Sequence, residues 1–168
     1  MALTRSLDPT RPINDASGYV HVITDIFTVH DYTQSVDIFR ERYAPTSPDN
    51  LDGTYVQHAN LSIAYGGQPY MVDEYGGTFW LPSYSRQPPR GTGRNGWGYG
   101  KTAEEVETLI GALTKILLTH PNIAGYTYTQ LTDVEQEVNG VYTYERELKF
   151  NTERMREIFG GPAAIEQP

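Results

Sequence analysis

The stretch QPYMVDEYGG, residues 68–77, has the pattern of a buried strand that delivers an acid to the mouth of a pocket. Tyr70–Val72 is too short for a helix, and Pro69 suits the start of a strand because it lacks a backbone donor. Gly76 and Gly77 then allow the chain to turn away sharply. Ligands bind at the carboxyl ends of parallel strands, so Glu74 is a functional candidate. The alternative is a strand-end acid that faces water.

Strands and helices alternate on both sides of this segment. The patterns predict three further strands, at Pro12–Ala16, Asp25–Val29 and Ile123–Tyr128. They also predict four helices, at residues 2–7, 34–43, 102–120 and 151–159, the third of which has a capping box and apolar residues at helical spacing. Long stretches rich in polar residues and glycine, 46–67, 78–101 and 130–149, are predicted to be loops.

This alternation indicates an α/β fold with a parallel sheet or a barrel. Four strand-helix units can be counted. A complete eightfold barrel needs about 250 residues, whereas the chain has 168. The chain is therefore expected to be half of such a barrel.

Composition excludes several classes of function. The chain has 13 Lys and Arg against 21 Asp and Glu, a formal charge of −8, which argues against a nucleic-acid partner. It has no cysteine, so disulfides, zinc thiolate sites and thiol nucleophiles are excluded. No apolar stretch approaches the roughly 20 residues that span a bilayer, so no membrane partner is expected. The compartment stays undetermined, and any signal segment would lie upstream.

Two glycine motifs resemble phosphate-binding loops but fail on context. GTGRNG, residues 91–96, follows a proline-rich segment rather than a strand, and GKT, residues 100–102, lacks the required upstream glycine. There is no G-x-S-x-G elbow, and the four histidines are scattered without metal-ligand spacing. We therefore predict neither a cofactor nor a metal.

Carboxylate chemistry on a sugar is the remaining possibility. In that chemistry one carboxylate attacks the anomeric carbon and a second, about 5 Å away, protonates the leaving oxygen. Glu74 fits the first role, and Glu135 and Glu137 are neighbours to consider, the alternative being an acidic loop in solvent. His30 and Asp31 at a strand end can hydrogen-bond a polyhydroxylated ligand, or form only a local turn pair.

Four segments, in order along nearly the whole chain, resemble family 2 glycoside hydrolases, the relatives of β-galactosidase, β-glucuronidase and β-mannosidase. They are DPTRPINDASG at residues 8–18, TDIFTVHDY at 24–32, DEYGG at 73–77 and YTQLTDVEQEVNG at 128–140. The resemblance implies the second half, strands five to eight, of a catalytic (β/α)8 (TIM) barrel. Residues 1–162 would form that half barrel and residues 163–168 a tail.

The resemblance also implies roles for individual residues. A glutamate at the end of the seventh strand, followed by Tyr, is the nucleophile of this retaining family, and the matching residue is Glu74. Residues implied as substrate contacts are Asn14, His30, Asp31, Tyr32, Tyr75, Gln130 and Glu135. Some members have a Trp about where Thr129 stands, so their sugar preference is not carried over.

The family's acid/base is a glutamate that directly follows an asparagine, and no Asn in this chain is followed by Glu. The sequence therefore predicts a fragment of a retaining β-glycosidase that acts on a terminal β-linked sugar and has negligible activity alone. The expected partners are a carbohydrate substrate and either the missing N-terminal half of the barrel or a second copy. A non-catalytic carbohydrate-binding or scaffold protein is the alternative.

Overall fold

The computed structural model describes residues 1–44, 54–81, 100 and 102–167, and it shows a small α/β fold with a three-stranded parallel sheet. The strands are β1 (Phe27–Asp31), β2 (Tyr70–Gly76) and β3 (Ile123–Thr129). The helices are α1 (Ala2–Leu7), α2 (Val36–Arg42), α3 (Ala103–Leu118) and α4 (Thr152–Phe159), followed by a 3-10 turn at Ala164–Glu166. These confirm the predicted helices and three of the four predicted strands. The rejected glycine motif at 91–96 lies outside the described residues.

The strand order is β1-β2-β3, and both neighbouring pairs are parallel. His30 of β1 lies opposite Glu74 of β2, and Gly76 of β2 lies opposite Thr129 of β3. The register shifts once between β1 and β2, at Thr28 to His30, and twice between β2 and β3, at Tyr70 to Met71 and at Val72 to Tyr75. The carboxyl ends of all three strands therefore meet at one edge of the sheet, and the polar residues that follow them lie together.

Helices α2 and α3 cover one face of the sheet. Phe27, Val72 and Tyr75 of the sheet belong to the same buried cluster as Phe39 of α2 and Leu113 of α3. A second cluster joins α3 to α4 through Ile110 and Met155. This packing explains the helical spacing of the apolar residues in α3, which places them on the face that meets the sheet.

Side chains fix where the longer helices begin. Thr102 Oγ1 accepts a hydrogen bond from Glu105 N at 3.1 Å, and Asn151 Oδ1 accepts one from Arg154 N at 3.0 Å. Each satisfies a backbone donor that a helix N-terminus leaves without an intrahelical partner. None of the helices in the described part of the chain is both long and apolar enough to cross a membrane.

The predicted strand at Pro12–Ala16 is wrong, because side chains replace a backbone ladder there. Asp25 Oδ2 accepts the Ile13 amide at 2.8 Å, and Thr28 Oγ1 donates to Ala16 O at 3.0 Å. His21 Nε2 lies 2.8 Å from Thr28 O and 3.1 Å from Thr28 N. The segment thus runs beside β1 without joining the sheet.

The two outer strands of the sheet therefore differ. The edge of β1 is covered by the His21 ring, which is 1% exposed. On β3, Ala124 and Thr127 are exposed, and within the described residues the sheet ends at this strand. Of the two outer strands in the described part of the chain, β3 is therefore the one with an open edge.

Candidate functional site

A cleft of about 780 Å³ opens at the carboxyl ends of the three strands. Each strand or the loop after it contributes polar side chains, which is the expected place for a site in a parallel sheet. The lining residues among those described are Tyr19, His30, Asp31, Tyr32, Thr33, Arg42, Tyr55, Gln57, Glu74, Thr129, Gln130 and Glu137.

Glu74 lies at the centre of this cleft. Tyr32 donates its hydroxyl hydrogen to Glu74 Oε2 at 2.5 Å. Gly76 and Gly77 follow with φ of +86° and +66°, and a Cβ on Gly77 would lie 2.9 Å from the Tyr32 ring. Burial, and then the Glu74 carboxylate that accepts the hydroxyl, raise the pKa of Tyr32 well above its usual value. Tyr32 therefore stays a neutral donor that fixes one oxygen of Glu74.

His30 lies between two carboxylates of β2. Its Nδ1 is 3.2 Å from Glu74 Oε2, and its Nε2 is 3.5 Å from Asp73 Oδ1. Ser17 Oγ is 3.1 Å from the same Nε2 and donates to Asp73 Oδ2 at 2.8 Å. Burial raises the pKa of Asp73, against the hydrogen bond from Ser17. The group is a compact polar network beneath Glu74.

Asp31 and Arg42 form one wall of the cleft. Arg42 Nη1 donates to Asp31 Oδ1 at 2.5 Å, and its guanidinium lies 4.7 Å from the centre of the Tyr55 ring. The Asp31 side chain is completely buried. Because a buried carboxylate needs a partner, Arg42 stabilises Asp31. The same guanidinium packs over the Tyr55 ring and places a positive charge at the wall of the cleft.

The loop after β3 forms the opposite wall. Gln130 Nε2 donates to Asn139 Oδ1 at 2.8 Å and to Glu137 Oε2 at 3.3 Å. Tyr128 donates its hydroxyl hydrogen to Asn139 O at 3.1 Å, which holds the loop against the sheet. Glu137 is thereby the carboxylate that this loop brings to the cleft, in addition to Asp31 and Glu74.

Three of the predicted substrate contacts do not reach the cleft. Tyr75 is fully buried in the core on the helix side, with its hydroxyl 2.6 Å from Thr114 Oγ1, so it does not line the cleft. Glu135 is exposed with φ of +50°, and the reversal of the chain there turns it to solvent. Asn14 donates to Thr28 Oγ1 at 3.3 Å beside β1. The structure does bring Glu74, His30, Asp31, Tyr32 and Gln130 together in the cleft.

Sequence reasoning missed several residues that lie in the cleft or directly beside it. Asp73 stands beside Glu74, and strict strand alternation would place the two side chains on opposite faces. In the structure both carboxylates lie within 3.5 Å of the His30 ring. The strand is irregular at this point, because the register with β3 shifts between Val72 and Tyr75. Arg42, Tyr55 and Gln57 come from helix and loop positions that carry no local signal. Among the described residues, no group of three or more His, Asp or Glu side chains is placed to hold a metal ion.

A second polar cluster holds the loop that carries Ser17. His21 Nδ1 lies 2.6 Å from Asp15 Oδ1, and Asp15 Oδ2 accepts the amides of Val22 and Ile23 at 2.7 and 3.0 Å. Partial burial disfavours the ionised Asp15 carboxyl, but hydrogen bonds from His21 and the two amides outweigh it and lower its pKa to about 2. The ionised carboxylate therefore stabilises this loop.

The stability of the protein should depend on this carboxylate at acid pH. Its pKa is about 2 when folded and 3.8 when unfolded. The stabilisation is therefore fully present above about pH 4 and is lost as the pH falls through 2, an effect of about 1 kcal/mol after allowance for solvent screening. Urea unfolding at pH 6 and pH 2.5 measures this loss of stability.

Two variants isolate the contribution of Asp15. Asp15→Asn should remove this part of the pH dependence, whereas Asp37→Asn, at a side chain that is 93% exposed, should not. Equal pH dependence in the wild type and Asp15→Asn would contradict the assignment.

No protein-family model and no curated protein matches this sequence. Solved structures do match its fold. A GH2 beta-galacturonidase from Eisenbergiella tayi bound to galacturonate has a TM-score of 0.65 at 16% identity, over 97% of this chain and 29% of that chain. The same kind of enzyme bound to glycerol gives a TM-score of 0.62 at 16% identity, over 95% of this chain and 28% of that one. A beta-glucuronidase from an uncultured Clostridium gives 0.57 at 18% identity, over 92% and 26%.

At these identities the likeness concerns the fold. The chain spans less than a third of the length of each of these solved chains. It follows that this protein has a small α/β fold, which matches part of a family 2 glycoside hydrolase structure.

Proposed function

We propose that the chain is part of a retaining β-glycosidase and carries its nucleophile, Glu74. The observation that supports this most directly is the asymmetric environment of the Glu74 carboxylate. Tyr32 and His30 both contact Oε2, whereas no hydrogen bond or ion pair from the described residues reaches Oε1. The Glu74 side chain is 36% exposed in the cleft. One oxygen is therefore fixed and the other is free to meet a ligand.

The proposed chemistry follows from that arrangement. In the first step a bond forms between Glu74 Oε1 and the anomeric carbon, and the bond from that carbon to the leaving oxygen breaks. A carboxylic acid on the other side of the bond must protonate that oxygen, and water later releases the sugar. The sequence has no Asn-Glu pair for this role, so we expect the chain alone to hydrolyse ordinary glycosides at a negligible rate.

We also infer that the missing acid belongs to a second segment that completes a barrel. Three parallel strands in sequential order with helices packed on one face are typical of a part of a (β/α)8 barrel. The neighbours' longer chains are in keeping with this interpretation. The proposed partners are then a carbohydrate and either the N-terminal half barrel or a second copy of the chain.

Covalent trapping tests the nucleophile without the missing acid. Fluoride leaves without a proton, so 2-deoxy-2-fluoro-β-glycosyl fluorides need only the attacking carboxylate. The chain should be incubated with galactosyl, glucosyl, mannosyl, glucuronyl and galacturonyl reagents and analysed by peptide mass spectrometry. We expect one adduct, on the peptide that contains Glu74.

Two variants make the trapping result specific. Glu74→Gln should show no adduct, because an amide is a poor nucleophile, whereas Glu135→Gln should be labelled like the wild type since that side chain is exposed outside the cleft. Equal labelling of Glu74→Gln, or no adduct with any reagent in a chain that melts cooperatively, would contradict the assignment.

A non-catalytic carbohydrate-binding role is the second candidate. The absent Asn-Glu pair and the three tyrosines that line the cleft, Tyr19, Tyr32 and Tyr55, favour it, since aromatic rings pack on apolar sugar faces. Saturable sugar binding that persists in Glu74→Gln, without any adduct in the wild type, would support this role over catalysis.

A further inference from the structure

We propose that His30 is the positioning residue for Glu74, and that it acts through a hydrogen on Nδ1. This makes Oε1 of Glu74 the reacting oxygen, a statement that rests on the proposed function, whereas the placement of the hydrogen does not.

The ring of His30 is held in one orientation. A Cβ on Gly18, whose φ is +60°, would lie 2.4 Å from His30 Cδ2, so the glycine packs directly on the imidazole. Tyr19 meets the ring edge-on with centroids 5.0 Å apart, and Gln57 Oε1 accepts the His30 amide at 3.3 Å. The His30 side chain is only 6% exposed. The two ring nitrogens therefore face fixed partners.

The partners of Nε2 restrict the protonation states of the ring. Ser17 has a single hydroxyl hydrogen, which goes either to Asp73 Oδ2, at 2.8 Å, or to His30 Nε2, at 3.1 Å. If Ser17 donates to Asp73, then Nε2 carries a hydrogen and donates to Ser17 Oγ. If Ser17 donates to the ring, Nε2 is bare and the neutral ring carries its hydrogen on Nδ1.

The surroundings of Nδ1 remove one further state. Nδ1 is buried and makes no hydrogen bond within the described residues, and Glu74 Oε2 faces it at 3.2 Å. If Nδ1 carried no hydrogen, its lone pair would face the Glu74 carboxylate oxygen directly. The two acceptors would repel each other without solvent between them, which is unfavourable. A hydrogen on Nδ1 is favoured in both arrangements of Ser17, giving an imidazolium in the first and the Nδ1-H tautomer in the second. The neutral Nε2-H tautomer is the state that the site disfavours.

The result for Glu74 is a carboxylate with two donors on the same oxygen. The hydroxyl of Tyr32, the residue after β1, approaches Oε2 at 2.5 Å, and His30 Nδ1 approaches the same atom at 3.2 Å. The contact of Nδ1 with Oε2 falls short of a hydrogen bond in this structure, and such contacts commonly tighten when a ligand binds. Two donors on Oε2 orient Oε1 toward the cleft, where it meets the ligand.

Nitrogen-15 NMR of the histidine rings in the full chain tests this directly. We expect His30 Nδ1 to resonate in the protonated range at pH 7. His120 provides an internal comparison in the same spectrum, because its Nδ1 accepts the Asn122 amide at 3.1 Å and must be unprotonated. An unprotonated shift for His30 Nδ1 would overturn the proposal while leaving the trapping result for Glu74 unaffected.

Matched variants separate positioning from general packing. His30→Asn places an amide N–H where Nδ1 stands, whereas His30→Gln places one where Nε2 stands. The Glu74 side-chain carboxyl carbon shift should therefore stay close to wild type in His30→Asn and move in His30→Gln and His30→Leu. Backbone amide spectra confirm that each variant is folded. A Glu74 shift that is the same in wild type and His30→Leu, or that moves equally in His30→Asn and His30→Gln, would overturn the proposal.

Discussion

Gly140→Ala is expected to lower the free energy of unfolding by about 3 kcal/mol or more, at the upper end of what overpacking costs. A Cβ at this position would lie 2.3 Å from Asp133 N and 2.4 Å from Thr132 C. These are backbone atoms, so no side-chain rotation relieves the overlap. The loop after β3 would have to move, and Gln130 and Glu137 would move with it.

Urea unfolding of Gly140→Ala and Gly66→Ala measures this effect. Gly66 is the matched control, because its added Cβ would meet only the flexible side chain of Gln68, at 3.6 Å or more. We expect Gly66→Ala to stay within about 0.5 kcal/mol of wild type, as surface substitutions usually do. Similar midpoints for the two variants would show that the loop tolerates a side chain at 140.

Lys149→Met is expected to destabilise the protein by about 3 to 5 kcal/mol, the usual cost of leaving a buried charge without its partner. Lys149 Nζ donates to Asp133 Oδ1 at 2.8 Å and to Val138 O at 2.9 Å. The two charged side chains are 0% and 3% exposed. Burial lowers the pKa of Lys149, and the hydrogen bond to Asp133 opposes that shift. Without the ammonium, the Asp133 carboxylate stays buried and unpaired.

Two controls isolate the ion pair in thermal and urea unfolding. Lys115→Met changes the same residue type at an exposed position of α3 and should have little effect. Asp133→Leu combined with Lys149→Met removes both charges and should recover part of the loss. Recovery should be incomplete because Asp133 Oδ1 also accepts the Gly140 amide at 2.8 Å. Equal stability of Lys149→Met and Lys115→Met would contradict the prediction.

Much of the fold could be predicted because its signals are local. Pro69 and the apolar run after it predicted β2, and Thr102 with the apolar spacing that follows predicted α3. The strand at Pro12–Ala16 failed for a non-local reason. The segment is held beside β1 by the Thr28 side chain, and the His21 ring contacts the β1 backbone in place of a paired strand. Nothing in the local sequence shows that these residues meet.

The site was predictable in outline and not in detail. The position of Glu74 at a strand end followed from its neighbours in the sequence. Which acid of the later loop reaches the cleft did not, because Glu135 and Glu137 share one acidic run. Val134 and Glu137 each donate a backbone amide to the other's carbonyl, and the backbone at Glu135 between them is left-handed. This tight turn directs the Glu135 and Glu137 side chains to different places. Tyr75 follows Glu74 directly in the sequence, but its ring belongs to the buried core and does not line the cleft.

The imidazole of His21 has a consequence for how copies of this chain can associate. A contact in which β3 of one copy joins β1 of the next would repeat without closing and build a fibre. His21 already occupies the backbone groups of Thr28 on that edge, so the repeat has no second attachment point. Among the described residues, His21 therefore blocks this repeating contact at β1, whereas β3 can still accept one added strand.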